Sequence, residues 1–321
     1  MEPVAAEMIS RPVGEIVATG ADFVALRSRF FAWLDVSPKT AATYSRALSV
    51  LFRHFADNGI GHPTRADVLA WREGLRIRNL SPATIQAYII AARRFFAWTA
   101  AEGIYPNVAE AVKGARVVKL HKRDYLAADA VRLMLSRVDR ATPAGRRRYA
   151  LLAAMVTLGL RDVEAARANV GDLRAAGGQS VLYVQGKGRA DRAEFVRVPA
   201  ETERALREYL ADRPDAADET APLFTAVGNR NRGGRLTTHT ISAIVKDALR
   251  AAGYNSPRLT AHSLRHTAVT LALLGGATLQ EASAFARHSN IATTQIYAHN
   301  LDAAANPCAG NVAAAVFGGA A

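Results

Sequence analysis

The chain holds a single cysteine, Cys308, among 321 residues. One thiol cannot close an internal disulfide or build a zinc knuckle, so neither a covalent staple nor a structural metal is expected. The sequence also lacks any stretch of eighteen uncharged apolar residues, the least that a hydrocarbon-spanning helix needs. Its opening run, MEPVAAEMISRPVGEI, is acidic early and has no continuous apolar segment, unlike a secretory leader. These absences lead to the expectation of a reducing, cytoplasmic setting with no membrane partner. Acidic residues are the scarcer charge, 28 against 41 lysines and arginines, which leaves a net charge of +13. Guanidinium forks suit phosphate, so the excess fits a polyanion such as nucleic acid. It fits equally a basic protein whose charge only aids solubility, and it says nothing of chemistry. Half of the residues are hydrophobic, and the length allows two compact domains or one large one.

Residues 1–19 read as a flexible leader, and 20–115 as a helical block. Ser37-Pro38 opens one helix, with serine as cap and proline at the first helical position. Tyr44, Leu48, Leu51, Phe52 and Phe55 then recur at helical spacing up to Asn58-Gly59. Thr64 caps a second helix through Arg76. Ser81-Pro82 opens a third, which ends near Gly103, and a short fourth fits 107–113. The block holds twelve Lys or Arg against seven Asp or Glu. Arg46, Arg93 and Arg94 lie on its helices as candidate contacts to a nucleic-acid backbone, although any one of them is as well explained by a solvated face. Residues 116–124, RVVKLHKRD, read as a basic linker whose Lys119, Lys122 and Arg123 would lie beside phosphates.

The second block, 125–301, carries helical patterns at 127–139, 144–158, 162–169, 200–211, 239–252, 262–274, 278–286 and 291–301. Only residues 180–185 and 194–198 read as strands, around the glycine-flanked Gly186-Lys187-Gly188, and so predict a hairpin. The expected class is mainly α with a small β-hairpin or sheet. Residues 302–321 form an Ala/Gly-rich tail with a possible docking helix near 312–317.

Separated signals carry the chemistry. In Leu158-Gly-Leu-Arg161-Asp-Val-Glu164, Gly159 ends one helix, Asp162 can cap the next, and Arg161 sits in the turn with Glu164 in ion-pair reach. Lys187 stands at a hairpin tip, where it could give a proton to a leaving oxygen. In His262-Ser-Leu-Arg265-His266-Thr267, His262 and Arg265 share a helix face suited to an anionic oxygen, while Leu264 points to a core. An HxxxH pair is present, but there is no acidic third ligand and no HExxH, so no metal is assigned. Tyr297 follows His288 by nine residues. Each signal alone is more often structural than functional.

Taken in order, LGLRDVE, QGKG, HSLRHT, ARH and ATTQIYAH closely resemble the landmarks of the tyrosine recombinase (phage integrase) family. The form resembled is the simple two-domain Xer-type or transposon-associated member. The resemblance runs from about 20 to 301, since the upstream block looks like the family's core-binding domain and 125–301 like its catalytic domain. It implies a site-specific recombinase that cleaves and rejoins double-stranded DNA through a 3′-phosphotyrosyl link at Tyr297. Arg161 and Arg265 would clamp the non-bridging oxygens. His262 and His288 would bond those oxygens or take the tyrosine's proton, Lys187 would be the general acid, and Glu164 and His266 would support them. With two guanidiniums in a role that Mg²⁺ plays elsewhere, no cofactor is expected. The resemblance further implies a C-shaped clamp, a homo-tetramer across two sites, and a tail that docks on a neighbouring subunit.

Arg287 departs from the family's usual glycine before the second histidine, where it would perturb His288 or add a phosphate contact. Ala165 and Ala166 stand where bulkier residues are common. No lambda-like arm-binding domain is expected at the start of the chain. A type IB topoisomerase uses similar groups and is the nearest alternative; a non-catalytic DNA-binding protein is the other.

Overall fold

Ser37 and Ser81 each accept a hydrogen bond from a backbone N–H three residues on, Thr40 at 3.3 Å and Thr84 at 3.2 Å. Pro38 and Pro82 follow as first helical residues, where a missing N–H costs nothing. These caps start α2 (Pro38–Asp57) and α4 (Pro82–Ala101), which pack with α1 (Gly20–Trp33) and α3 (Arg65–Ile77). The start of α3 is held by Asp67, whose carboxylate accepts the Thr64 N–H at 2.7 Å. The computed structural model describes residues 20–116, 124–186, 193–228 and 231–305, with 308, 312 and 316. The leader, Lys119, Lys122 and Arg123 of the linker, the hairpin tip with Lys187, and most of the tail lie outside the described residues. The chain divides into two compact units, Met1–Lys119 and Leu120–Ala321.

The core of the first unit is aromatic. Phe95 of α4 meets Phe30 of α1 edge to face at 5.4 Å and Phe52 of α2 at 5.1 Å, all at most 5% exposed. Each ring buried in this way contributes roughly 1.5–3 kcal/mol. The short helix expected at 107–113 is absent: this segment is a run of turns. Ala109 and Val112 are buried there, and with a hydrogen bond from the Val112 N–H to the Ala109 carbonyl the segment closes the unit without the length that a helix needs to pass its nucleation cost.

The second unit holds α5 (Ala128–Ser136), α6 (Pro143–Thr157), α7 (Asp162–Arg167), a 3-10 turn, β1 (Leu173–Ala176), β2 (Gln179–Val184), β3 (Glu194–Arg197), α8 (Ala200–Leu210), α9 (Thr238–Ala251), α10 (Ala261–Leu274), α11 (Leu279–Phe285) and α12 (Ala292–Ala305). The expected hairpin is β2–β3, with Val184 opposite Glu194 and Val181 opposite Arg197. A third antiparallel strand, β1, extends it. It turns into β2 through Gly177 and Gly178, both at positive φ (56° and 74°), as a two-residue hairpin connection demands. The class is thus mainly α with one small antiparallel sheet. One continuous core joins α5, α6, α8, α9 and the start of α10 to β2 and β3, with Leu151, Leu182, Leu206, Val245 and Leu264 fully buried. A smaller cluster of Val269, Ala282, Ala286 and Tyr297 sits beside it. Among the described residues, no helix is long and apolar enough to cross a membrane.

Candidate active site

Gly159 ends α6 at φ +56°, and a side chain there would come within 3.1 Å of the Phe285 ring. Its carbonyl accepts Nη1 of Arg265 at 2.6 Å and Nη2 of Arg287 at 3.0 Å. Leu160 is buried, and the chain then reaches Arg161 at the start of α7. The cap differs from expectation. Asp162 is already the first helical residue, and Glu164 closes the turn by accepting the Arg161 N–H at 2.9 Å. Glu164 stands at the third helical position, where its carboxylate reaches back to the cap, while Asp162 accepts the Val163 N–H at 2.8 Å.

Glu164 is the buried hub, with its side chain fully covered. It pairs with Arg161 through Nη1 and Oε1, accepts Nη2 of Arg287 at 2.8 Å, and lies 3.9 Å from Nη1 of Arg265. Burial pushes its pKa up, but Arg287, the Arg161 N–H and the Arg161 charge outweigh this and hold it below the usual carboxylate range. Arg265, 1% exposed, also donates Nη2 to the Ala286 carbonyl. Burial and the neighbouring Arg161 push its guanidinium down to about 9, so it stays charged at neutral pH.

On α10, His262 is exposed and His266 is buried, with their rings edge to face at 4.5 Å. The rings of His266 and His288 lie 5.1 Å and 6.3 Å from that of Tyr297. The Nδ1 of His288 shares a hydrogen bond of 2.9 Å with the hydroxyl of Thr294, which is fully buried on α12. Burial, then the charges of Arg265, Arg161 and Arg287, push His288 down to about 4, so it is neutral at working pH. Tyr297 is 4% exposed, packed on Val269, Ala282 and Ala286. An open cleft of about 560 Å³ is lined by Arg161, Gly186, Phe195, Ser283, Arg287 and His288.

Arg161, Glu164, His262, Arg265, His266, His288 and Tyr297 therefore stand together, from four stretches of chain. Arg287 does not add a surface contact for phosphate. It sits at φ +52°, and its side chain, 4% exposed, turns inward to Glu164. Arg46, Arg93 and Arg94 are exposed on helices of the first unit. Thr294 was not singled out from sequence. Its signal is weak, a threonine six residues after a histidine, and acquires meaning only when α12 brings them together.

A profile for the phage integrase family matches residues 124–304, and one for the phage integrase N-terminal SAM-like domain matches 29–103. A tyrosine recombinase of Synechococcus elongatus is 30% identical over 81% of this chain and 84% of its own. The tyrosine recombinase XerD of Xanthomonas axonopodis pv. citri is 31% identical over 84% and 89%. In fold, the chain is similar to XerH site-specific recombinase bound to palindromic difH substrate, with a TM-score of 0.69 at 23% identity over 83% of this chain and 78% of that one. It is similar also to a lambda integrase tetramer bound to a Holliday junction, with a TM-score of 0.65 at 16% identity over 86% and 76%. The chain belongs to the phage integrase family, as a tyrosine-class site-specific DNA recombinase.

Proposed function

We propose that Tyr297 is the nucleophile in a strand-transfer reaction on double-stranded DNA. The observation that carries this reading is an imbalance of charge. Three guanidinium groups, Arg161, Arg265 and Arg287, surround one carboxylate, Glu164, in a largely buried site beside a tyrosine and three histidines. Uncompensated positive charge in a low-dielectric site favours an anion, and more so a phosphoryl transition state that gathers negative charge on its oxygens.

The step begins when the phenol is uncovered and its oxygen attacks the phosphorus. The bond to the 5′-oxygen breaks. Arg161 and Arg265 hold the non-bridging oxygens. His288, neutral and fixed through Nδ1, presents its other nitrogen to those oxygens or to the tyrosine's proton, with His262 as the second candidate and His266 as support. Lys187 protonates the departing oxygen. The products are a 3′-phosphotyrosyl link and a 5′-hydroxyl. The link conserves the ester bond, so the 5′-hydroxyl of another strand can attack it and release Tyr297 without a nucleotide cofactor. The exposed Arg46, Arg93 and Arg94, with Lys119, Lys122 and Arg123, grip the backbone of the duplex. The working assembly is a homo-tetramer on two sites, with the tail docked on a neighbour. This is supported by the lambda integrase tetramer on a Holliday junction and by the exposed Val312 and Val316. The tasks that fit are integration, excision or resolution of DNA elements.

The test uses purified full chain and nicked duplexes drawn from DNA flanking its gene. A covalent protein–DNA adduct on a denaturing gel is expected for the native chain and none for Tyr297→Phe, with DNA binding retained. An adduct that persists in Tyr297→Phe overturns the assignment. Relaxation of supercoiled plasmid without exchange between paired sites points instead to topoisomerase action.

A further inference from the structure

We infer that Arg287 is a positioning residue for strand cleavage: its guanidinium saturates Glu164, so that Arg161 and Arg265 keep N–H groups available for the scissile phosphate. This rests on the reading of the site given above. The backbone supplies the first observation. At φ +52°, Arg287 occupies a conformation that favours glycine, and glycine is what the family pattern has there. A long side chain kept at such a position needs a compensating set of contacts.

Those contacts are specific. Nη1 donates to the carbonyls of Phe285 at 2.8 Å and Leu158 at 3.4 Å; Nη2 donates to Gly159 at 3.0 Å and to Glu164 Oε2 at 2.8 Å. The three carbonyls lie at the C-terminal ends of α11 and α6, where helices leave acceptors unpaired and favour a cation. The backbone carbonyl of Arg287 accepts Nη2 of Arg161 at 2.9 Å. Arg287 thus braces Arg161 twice, directly and through Glu164. Its own Nε is buried without a partner, so the fork is held in place despite one unsatisfied donor.

Removal of the fork would leave Glu164 short of one charged donor. The nearest replacement is Nη1 of Arg265, already 3.9 Å away. An Arg265 drawn onto Glu164 is withdrawn from the phosphate. The same guanidinium also acts on His288. That ring is faced by Arg265 and His262 from α10, by Arg161 from the start of α7, by Thr294 and Tyr297 from α12, and by Arg287 beside it. Arg287 is one of the cations that keep it neutral.

The test compares the native full chain with Arg287→Met, Arg287→Lys and Arg287→Gly in single-turnover cleavage of nicked duplex at saturating DNA, across pH. Arg287→Met is expected to cleave on the order of ten- to a hundredfold more slowly at unchanged DNA Kd. Its acid limb moves up in pH, and the NMR titration midpoint of His288 rises toward the ordinary value. Arg287→Lys keeps the charge and loses the fork, so it cleaves slowly while the His288 midpoint stays low. Arg287→Gly relieves the backbone but loses the same fork, so it cleaves as slowly as Arg287→Met. Native-rate cleavage by Arg287→Met and Arg287→Gly with an unmoved His288 overturns the inference. If the native chain forms no adduct, it is the assignment of Tyr297 that fails; the histidine titration, which needs no DNA, still decides whether Arg287 acts on His288.

Discussion

Thr294 carries one hydroxyl into a fully buried position and uses it on one atom, Nδ1 of His288. A histidine ring has two nitrogens, and a partner on one decides what the other offers. Thr294→Val keeps the shape and removes the hydroxyl. Stability is expected to fall by about 1 kcal/mol, the cost of one unmet buried hydrogen bond. Single-turnover cleavage should fall by roughly tenfold, because a ring free to turn spends less time aligned. Unchanged cleavage would show that the hydroxyl only fills space. Glu164 bears a heavier duty. Glu164→Gln removes the one carboxylate among three guanidiniums and should lower unfolding free energy by about 3 kcal/mol in denaturant melts, since it strands buried charge.

At the scale of elements, the end of α6 sets the site. Gly159→Ala would strain a backbone at φ +56° and press a methyl group on the Phe285 ring. The expected loss is about 2 kcal/mol, measured by denaturant midpoint at constant m. The openings of α2 and α4 were legible in Ser-Pro because a cap is decided by its own four residues. The face shared by His262 and Arg265 was legible because helical spacing alone fixes it. β1 was not, since Leu-Arg-Ala-Ala has little preference for a strand and owes its shape to pairing with β2. Only Gly177-Gly178 marked the turn. The segment 107–113 has helical composition, but burial of Ala109 and Val112 decides its course. Sequence could place a basic residue beside His288. It could not say that Arg287 folds inward, because its partner Glu164 comes from a distant helix and its backbone takes a conformation rare for arginine.

For the whole molecule, net charge and proton linkage govern behaviour in solution. A net charge of +13 makes DNA binding release counterions, so affinity should fall on the order of a thousandfold between about 50 and 200 mM salt. Fluorescence anisotropy across that range gives the slope. Arg93→Ala with Arg94→Ala should reduce it by about two if both side chains meet phosphates. Stability has its own dependence on pH. The unfolded chain protonates His288 near 6.5, while the folded chain resists until about 4. Unfolding is thereby favoured progressively as pH falls through that window, and Glu164, also held low in the fold, extends the loss below the usual carboxylate range. Tm should drop from pH 7 to pH 4, and His288→Gln should flatten the upper part of that drop.

The ring of Tyr297 rests against one valine and two alanines in a small cluster of its own, and beside the rings of His266 and His288. Those small apolar residues make few dispersion contacts, so the apolar part of the seat is shallow in free energy. Withdrawing the phenol leaves Leu151, Leu182 and Leu264 undisturbed. If Tyr297 is the nucleophile proposed above, it can therefore be shielded from chance reaction between catalytic events and still be delivered without unfolding anything else. Ala282→Leu, which would deepen that seat, trades idle safety against ease of delivery without removing any charged group.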